Sequence, residues 1–417
     1  MASVNCGTTS DPRFCLAALD PETLEPLGQW EPTDRNVVSN YWQIIDNRIS
    51  VPTQEGFIVE LERSGNSFNV IREIDVSGHL PQGSILAQVG YTGDGNLWFA
   101  ATPVPLLGLD GTNTTTIGYA AADDSLHAIS IVDELFENAF AVNGNSIYVV
   151  TGPAGPKDTP NANGQFYAFQ AGATDGVTVV YNETYSAGSG FKPGGLSRGS
   201  GASVGLLGQK YVAITDNADV QVNLVVYRQA EEAALAGSAF ACSIPLFQPN
   251  ASGNEAGLTT HFDGSTYSAL IINSYGSRTF LDQSSSDING PQNNNSAASP
   301  GITRINVSDD GTCSLAWDLP IVGTMTTLST ETGILYAYLQ DMDLAVKGEY
   351  VYYFAAIDWA TGEEMWRAKA GAGGVFNPGI SHVQLGPNGR LYQGVAGGVA
   401  WVEDAPTAAS VLRYLGF

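Results

Sequence analysis

The chain has 417 residues, of which 48 are glycine, 20 are proline and only 14% are charged. Long runs with helical periodicity are scarce, so the composition predicts an all-β protein. The formal net charge of −25 would repel phosphate backbones and anionic lipid headgroups, which argues against nucleic-acid and membrane partners. No apolar run reaches the length of a bilayer-spanning segment.

Two similar β-hairpins are predicted near the two ends of the chain, over residues 15–30 and 350–366. In each, alternating apolar residues reach an aspartate, turn, and return to a tryptophan. The matching positions are Asp20, Thr23 and Trp30 in the first hairpin and Asp358, Thr361 and Trp366 in the second. A hairpin repeated at both ends indicates a chain built from repeats.

Seven strand pairs follow in chain order, most of them opened by a turn that contains glycine. The pairs are 41–50 with 56–62, 97–101 with 126–131, 147–151 with 166–169, 211–215 with 223–227, 268–273 with 302–307, 334–338 with 351–358, and 390–395 with 399–402. Their spacing suits the four-stranded blades of a β-propeller with variable loops. We predict one domain over residues 1–417: a seven-bladed β-propeller, with six or eight blades as alternatives, whose N- and C-terminal strands close the ring.

The same register places a polar residue nine positions before one strand residue of each pair. These residues are Asn40, Gln88, Asn138, Ser203, Thr259, Thr326 and His382. Ligands bind at the mouth of a propeller channel, so we predict that the seven form a polar ring around a small-molecule pocket. The predicted substrate contacts also include flanking residues: Tyr41, Trp42, Phe376 and Asn377. The alternative is that ring members simply hydrogen-bond one another or channel water.

Four residues are predicted to supply acid, base or hydrogen-bonding groups: His382, His261, Lys192 and Arg198. The two histidines lie at or beside ring positions. Lys192 and Arg198 are rare cations in a glycine-rich loop and are suited to anchoring an anionic or phenolic oxygen, although a solvated loop is the alternative. No histidine pair has the spacing of a metal motif, and the ring offers amides and hydroxyls rather than carboxylates, so neither a metal nor a cofactor is predicted.

The cysteines and the glycosylation sequons favour a secreted protein. The four cysteines allow three disulfide connectivities, of which Cys6–Cys15 and Cys242–Cys313 need the shortest loop closures. Sequons occur at Asn113, Asn182, Asn250, Asn294 and Asn306. The Met1-Ala2 start without an apolar segment suggests that a signal peptide has been removed. The asparagine-rich tract at 289–300 is expected to be a mobile loop rather than a site.

The strand Ala355-Ala356-Ile357-Asp358, followed by Thr361-Gly362-Glu363 and Trp366, resembles the repeat of quinoprotein-like propellers, and residues 16–30 match it more loosely. That resemblance implies the propeller fold, while the repeat itself hosts many functions. In length, sequons, acidic character and β content the chain also looks like the fungal hetero-Diels–Alderases of tropolonic sesquiterpenoid biosynthesis. This second resemblance implies a secreted enzyme that joins a quinone methide to a polyene without a cofactor.

Three functional hypotheses follow. The first is a secreted propeller that binds apolar or phenolic small molecules and acts as a cofactor-independent hetero-Diels–Alder cyclase. The second is a quinoprotein-type oxidoreductase, and the third is a binding propeller without turnover. The oligomeric state is left open by the sequence.

Overall fold

A computed structural model describes residues 2–7, 13–20, 22–38, 41–103, 111–172, 176–278, 286–386 and 388–404. Strands make up 49% of the structure and helices 6%, so the prediction of an all-β protein is confirmed. Within these ranges, no helix combines the length and the apolar character needed to cross a bilayer.

The chain divides into two compact units. The first comprises Met1–Phe191, Leu196–Pro245 and Asp310–Thr312; the second comprises Lys192–Gly195, Leu246–Asp309 and Cys313–Phe417. The single domain predicted over residues 1–417 stays a prediction.

In the first unit, the described strands form five antiparallel sheets. Its strands are β1 (Ala2–Asn5), β2 (Phe14–Leu19), β3 (Pro26–Trp30), β4 (Gln43–Ile45), β5 (Arg48–Pro52), β6 (Phe57–Ser64), β7 (Ser67–Asp75), β8 (Ile85–Tyr91), β9 (Leu97–Thr102), β10 (Thr114–Ala120), β11 (Leu126–Val132), β12 (Glu134–Phe136), β13 (Ala141–Asn143), β14 (Ser146–Pro153), β15 (Asn163–Ala171), β16 (Val177–Ser186), β17 (Gly205–Leu207), β18 (Tyr211–Thr215), β19 (Asn223–Arg228) and β20 (Phe240–Pro245). The sheets are β1–β3, β4–β7, β8–β11, β12–β16 and β17–β20. The described part of the unit also contains helix α1 (Ala230–Ala236) and 3₁₀ turns at Ser77–His79 and Gly155–Lys157.

In the second unit, the described strands form three antiparallel sheets: β21–β24, β25–β28 and β29–β31. Its strands are β21 (Thr259–Phe262), β22 (Tyr267–Ile272), β23 (Ile302–Val307), β24 (Cys313–Leu319), β25 (Thr327–Ser329), β26 (Ile334–Gln340), β27 (Val351–Asp358), β28 (Glu364–Ala372), β29 (Val383–Leu385), β30 (Leu391–Val395) and β31 (Gly398–Val402). Helix α2 (Met342–Ala345) follows β26, and 3₁₀ turns occur at Pro291–Asn293 and Gly374–Phe376.

The seven predicted strand pairs fall in seven separate sheets, from β4–β7 to β29–β31. In the β8–β11 sheet the prediction missed β10, which lies between β9 and β11. An eighth sheet, β1–β3, was not counted among the predicted pairs. Its strands pair with one another, and closure of a ring by N- and C-terminal strands stays a prediction.

The core lies between the faces of successive sheets. The central strands are rich in β-branched, aromatic and alanine residues, and β9, β14 and β22 are buried along their whole length. One cluster joins Trp98 and Ile117 to Val149 and Phe169 of the next sheet. Outer strands such as β28 are largely exposed, although β28 also contacts β31 and the 3₁₀ turn at Gly374–Phe376. Buried central strands and polar outer strands follow from stacking sheets face to face.

The hairpins at residues 15–30 and 350–366 share the same hydrogen-bonded turn. Asp358 Oδ1 accepts from the amide and the hydroxyl of Thr361, at 2.8 and 2.9 Å. Asp20 Oδ1 likewise accepts from the amide of Thr23 at 2.8 Å. The aspartate side chain takes the place of a backbone acceptor in such turns. The sequence similarity between the two hairpins therefore reflects the same turn geometry at both.

Turn carboxylates make the stability of the fold sensitive to acid. Hydrogen bonds hold the pKa of four turn carboxyls below its usual value. The main donors are backbone amides at Asp263 and Asp358 and serine hydroxyls at Asp75 and Asp123. A lowered pKa in the folded state contributes stability that is fully present above the unfolded pKa of about 3.9 and is lost as pH falls through the folded pKa. These turns should therefore leave the unfolding temperature of the protein unchanged near neutral pH and lower it when the pH is below about 4. The measurement is made at constant ionic strength.

A variant with asparagine at all four positions tests this assignment. Asparagine keeps the turn but does not titrate, so the acid loss of stability should be smaller than in the unmodified protein. An identical acid slope in the two proteins would assign the loss to other groups.

The predicted disulfides and the predicted mobile tract have different outcomes. Cys6 and Cys15 form a disulfide with a Cα–Cα distance of 6.0 Å, and Cys242 and Cys313 are also disulfide-bonded, so the prediction of two disulfides is confirmed. The tract at 289–300, expected to be mobile, is instead packed and hydrogen-bonded. Asn293 is buried, and its amide donates to the carbonyls of Ile288 and Gly290 at 2.8 and 2.9 Å.

Candidate functional site

The described ring positions lie within or shortly before an early strand of their sheets, but not all at the same point of that strand. Gln88 is in β8, Asn138 precedes β13, Ser203 precedes β17, Thr259 opens β21, Thr326 precedes β25 and His382 precedes β29. Asn40 lies outside the described residues. The nine-residue register therefore marks similar but not identical positions: five members lie at or before the beginning of a strand, whereas Gln88 lies in the middle of β8.

In the first unit, three of the predicted residues come together in a cluster, which we call the Tyr41 cluster: Tyr41, Asn138 and Ser203. The Tyr41 hydroxyl donates to Asn138 Oδ1 at 2.9 Å, and the Ser203 hydroxyl donates to the same oxygen at 3.3 Å. Asn138 Nδ2 donates to the carbonyl of Gly201 at 2.9 Å. The cluster is thus a set of two hydroxyls held on one fixed amide.

The backbone of Tyr41 supports a functional role for this cluster. Tyr41 has φ = +56°, a left-handed conformation that is rare for a bulky residue, and 38% of its surface is exposed. Such strain costs on the order of 1–3 kcal/mol and concentrates at binding and catalytic sites. An exposed phenol in a strained conformation, bonded to a predicted ring residue, makes this the best-supported site in the unit.

A carboxylate lies beside the cluster. The amide N–H of Gly199 donates to both oxygens of Glu137, at 2.9 and 2.8 Å, and the amide of Arg198 donates to the same carboxylate. Gly199 also closely approaches Tyr185, whose hydroxyl donates to the carbonyl of Thr151 at 2.9 Å. Burial raises the pKa of Tyr185, so its hydroxyl stays protonated. These bonds fix the segment that carries Gly201, the acceptor of Asn138.

Gln88, the remaining first-unit position, is used by the fold itself. Its side-chain amide donates to the carbonyl of Phe140 at 3.0 Å and accepts from the amide of Phe140 at 2.6 Å. Gln88 therefore has a structural partner in the backbone of Phe140, which is neither another ring member nor channel water.

The prediction that Arg198 anchors a substrate oxygen is not supported by its placement. Arg198 is 7% exposed, and its Nε donates to Asp158 at 2.6 Å. Its Nη groups donate to three carbonyls, those of Ala187, Thr159 and Gly188, at 2.7, 3.2 and 3.3 Å. A guanidinium engaged by a carboxylate and three carbonyls fastens the loop on which it lies.

In the second unit, Thr259 and Thr326 come together, with their hydroxyl oxygens 3.0 Å apart. His382 is solvent-exposed by surface area, although surrounding protein still desolvates its ring and lowers the pKa of the imidazole. A lowered pKa leaves His382 neutral at pH 7, able both to donate and to accept a hydrogen bond. Its predicted role as an acid, base or polarising group stays a prediction.

The other two charged candidates are placed on the second unit without a defined catalytic geometry. His261 is in β21, half-buried, with its ring edge-on to Trp359 at a centroid distance of 6.4 Å. Lys192 is half-buried in a turn in which the amide of Gly195 donates to its carbonyl at 2.8 Å. The neighbouring Pro193 carbonyl accepts from the amide of Gly276 at 2.6 Å.

Trp42, Phe376 and Asn377, predicted as substrate contacts, take part in packing. The indole of Trp42 donates to the carbonyl of Val38 at 2.6 Å, and its ring packs on the buried cluster around Val51. Phe376 packs beside the second-unit cluster that includes Tyr338. The amide of Asn377 donates to Asn293 at 2.8 Å.

The predicted glycosylation sites differ in their exposure to solvent. Asn113, Asn182 and Asn250 are exposed, while Asn294 and Asn306 are half-buried. Asn306 Oδ1 also accepts from the hydroxyl of Ser268 at 2.9 Å. In the part of the chain that the structure describes, no group of three or more His, Cys, Asp or Glu side chains is arranged to hold a metal ion. Glycosylation and the expected lack of a metal both stay predictions.

Comparisons with known proteins identify the fold. No protein-family model matches the chain, and no curated protein sequence matches it. Among solved structures it is similar to BamB from Moraxella catarrhalis, with 11% identity over 96% of this chain and 98% of that one and a TM-score of 0.50. It is also similar to Sqt1 of Chaetomium thermophilum bound to the N-terminus of ribosomal protein L10, with 11% identity, coverage of 96% and 92%, and a TM-score of 0.55. The computationally designed Ika8 protein gives 12% identity, coverage of 94% and 92%, and a TM-score of 0.51.

The chain is a β-propeller. The seven sheets that contain the predicted strand pairs are its blades, as predicted, and the N-terminal sheet β1–β3 is additional to those pairs. At these levels of identity the likeness concerns the fold alone. It leaves the quinoprotein and Diels–Alderase resemblances as proposals.

Sequence reasoning missed the part that Glu137 and Gly201 play beside the Tyr41 cluster. Glu137 directly precedes a ring position, and Gly201 lies two residues before another. A search for carboxylates and glycines adjacent to the register would have found both. The hydrogen bonds of Glu137 with Arg198 and Gly199, and of Gly201 with Asn138, are long-range and have no signal in the sequence itself.

Proposed function

We propose that this protein is a secreted β-propeller that binds apolar, oxygen-bearing small molecules at the Tyr41 cluster and joins them by a cofactor-independent hetero-Diels–Alder cycloaddition. The observation that carries the proposal is the strained, exposed Tyr41, whose hydroxyl shares Asn138 Oδ1 with the hydroxyl of Ser203. Two disulfides support the proposed extracellular location, because disulfides persist in oxidising compartments.

The chemistry of the cluster suits a neutral oxygen ligand. Hydroxyl hydrogens rotate, so Tyr41 and Ser203 can turn from Asn138 toward a ligand carbonyl, or accept from a phenol with their lone pairs. Because Asn138 is itself bonded to Gly201, its amide oxygen stays in place as the acceptor to which both hydroxyls can return. A donor of this kind polarises the carbonyl of a quinone methide as charge develops on its oxygen.

The reaction needs orientation more than it needs a reactive side chain. The heterodiene of a quinone methide and an alkene form one carbon–carbon and one carbon–oxygen bond while the ring regains aromaticity, and no atom, proton or electron is gained or lost overall. Holding two partners in reacting geometry contributes roughly 7–11 kcal/mol in favourable cases. The protein would therefore act by binding both partners together and donating a hydrogen bond to one of them.

Tyr41→Phe tests the proposal directly. We expect the variant to keep its unfolding temperature and to lose cycloaddition rate on the order of ten- to a hundredfold, because one polarising donor is removed. The assay combines an ortho-quinone methide, generated in situ, with a cyclic polyene and measures the rate and enantiomeric excess of the adduct by chiral chromatography.

A matched control is Tyr336→Phe. The Tyr336 hydroxyl makes no hydrogen bond to any described residue, so its removal should change neither rate nor enantiomeric excess. Racemic adduct formed at the uncatalysed rate by the unmodified protein would contradict the cyclase. If the polyene or the phenol still bound, measured by tryptophan fluorescence, the result would favour the binding propeller without turnover.

A further inference from the structure

The second unit contains a cleft that the proposed function does not use. Its volume is about 460 Å³, within the range of small-molecule sites. It is lined by the segments 296–300, 320–322 and 339–343 and by the side chain of Arg367. These segments come from two successive sheets, so the cleft lies between β23–β24 on one side and β26–β28 on the other.

One wall of the cleft is rigid and apolar. Leu339 is 2% exposed, and Ile321, Val322 and Met342 add half-buried apolar surface. The side chain of Gln340 donates to the carbonyl of Asn293 at 2.7 Å and to the hydroxyl of Tyr352 at 3.0 Å, and accepts from the amide of Asn295 at 3.1 Å. With all of these bonds made inside the protein, Gln340 shapes the wall without offering a group to a ligand.

The rim of the cleft carries unequal charge. Arg367 is bonded to both oxygens of Glu364, at 2.9 and 2.7 Å, and it also interacts electrostatically with Asp341. Asp341 accepts the amide of Leu344 through Oδ1 at 3.0 Å, and no residue in the described ranges bonds its second oxygen. Asp343 is exposed and makes no hydrogen bond or ion pair with any described residue. Two carboxylates therefore line the cleft together with its apolar residues, and no cation among the described residues pairs with Asp343.

We propose that this cleft binds an organic amine with an apolar body. The ammonium group would lie against Asp341 and Asp343, and the hydrocarbon would cover Ile321, Val322 and Met342. A hydrated inorganic cation would gain nothing from the apolar wall, and an organic anion would meet the two carboxylates. The combination of an apolar wall with net negative charge at the rim selects a cation that carries hydrocarbon.

The test uses the full chain and three probes of equal length: hexylammonium, hexanol and hexanoate. We expect hexylammonium to bind, hexanol to bind more weakly and hexanoate not to bind, in titrations followed by ligand-detected NMR. Asp341→Asn and Asp343→Asn should each weaken hexylammonium binding about two- to fivefold, as expected for partly exposed ion pairs. Asparagine caps a helix as well as aspartate does, so Asp341→Asn removes the charge and keeps the cap of α2.

Glu331→Gln serves as the matched charge control, because Glu331 is exposed in the same unit and does not line the cleft. It should leave binding unchanged. Hexanoate binding as tight as hexylammonium, or unchanged binding in the Asp341→Asn/Asp343→Asn double variant, would overturn the proposal. Stoichiometric Ca²⁺ binding that both variants abolish, without binding of hexylammonium, would assign the carboxylates to a metal and overturn it as well.

Discussion

Replacing Arg198 with alanine is expected to lower the free energy of unfolding by about 1–3 kcal/mol, because the buried carbonyl of Gly188 would lose its donor and that of Ala187 would keep only the side-chain amide of Asn217. The Ala187 carbonyl belongs to a fully buried residue and accepts from Arg198 Nη1. The Asp158 carboxylate contributes less to the loss, since its side chain is 41% exposed and would be hydrated in the variant. The measurement is chemical denaturation followed by intrinsic fluorescence.

Two comparisons make this result specific. Arg198→Lys should recover only part of the loss, since an ammonium cannot reproduce the planar geometry of the guanidinium bonds. Arg63→Ala is the control, because the Nε of Arg63 donates to a single carbonyl, that of Gly65, at 2.9 Å, and it should cost about 0.5 kcal/mol or less. If Arg198→Ala left stability unchanged and abolished small-molecule binding, the ligand-anchoring role predicted from sequence would be restored.

Gly362→Ala is expected to destabilise the second unit by about 2–4 kcal/mol, which combines backbone strain with overpacking. Gly362 has φ = +78°, and a Cβ there would lie 2.9 Å from Cδ2 of Trp317. Trp317 is 8% exposed, and its indole donates to the carbonyl of Trp359 at 2.9 Å. The methyl group would therefore displace a buried ring that joins two successive sheets.

Gly333→Ala separates the two causes. Gly333 has φ = +66°, but a Cβ there would meet no atom within 4 Å. This control carries only the strain and should cost about 1–2 kcal/mol. Denaturation together with the near-ultraviolet circular dichroism of tryptophan checks both variants. Equal losses in the two would show that contact with Trp317 contributes nothing.

The sequence predicts those parts of the fold that are determined by residues close to one another along the chain. The alternating strands and glycine turns are local, so each of the seven predicted pairs falls in its own sheet, and the same aspartate turn was recognised in the hairpins near both ends of the chain. Strand β10 was missed because Thr114, Thr115 and Thr116 open it with a polar run, although Thr115 and Thr116 are buried. Burial of these hydroxyls depends on the neighbouring sheet, which the local sequence does not report.

The candidate site shows the same division. The register picked out Asn138 and Ser203, which share a hydrogen-bonded cluster with Tyr41, and their role in binding stays a prediction. The role predicted for Arg198 also stays a prediction, but the sequence could not show its bonds to Asp158 and to three carbonyls, because its glycine-rich surroundings resemble those of an exposed loop. The asparagine-rich tract misled for the same reason, since Asn293 is buried by partners that composition cannot identify.

Every described sheet is assembled from strands that lie next to one another, or nearly so, along the chain. During synthesis, each blade can therefore complete its hydrogen bonding soon after its last strand leaves the ribosome, before the next blade exists. Contacts within a blade are short in sequence, which favours rapid formation despite the all-β architecture. The face-to-face packing between sheets must then follow in the order of translation, and a partly made chain presents one uncovered apolar blade face at a time. Among the described sheets, β1–β3, with its Cys6–Cys15 disulfide, comes before the others along the chain.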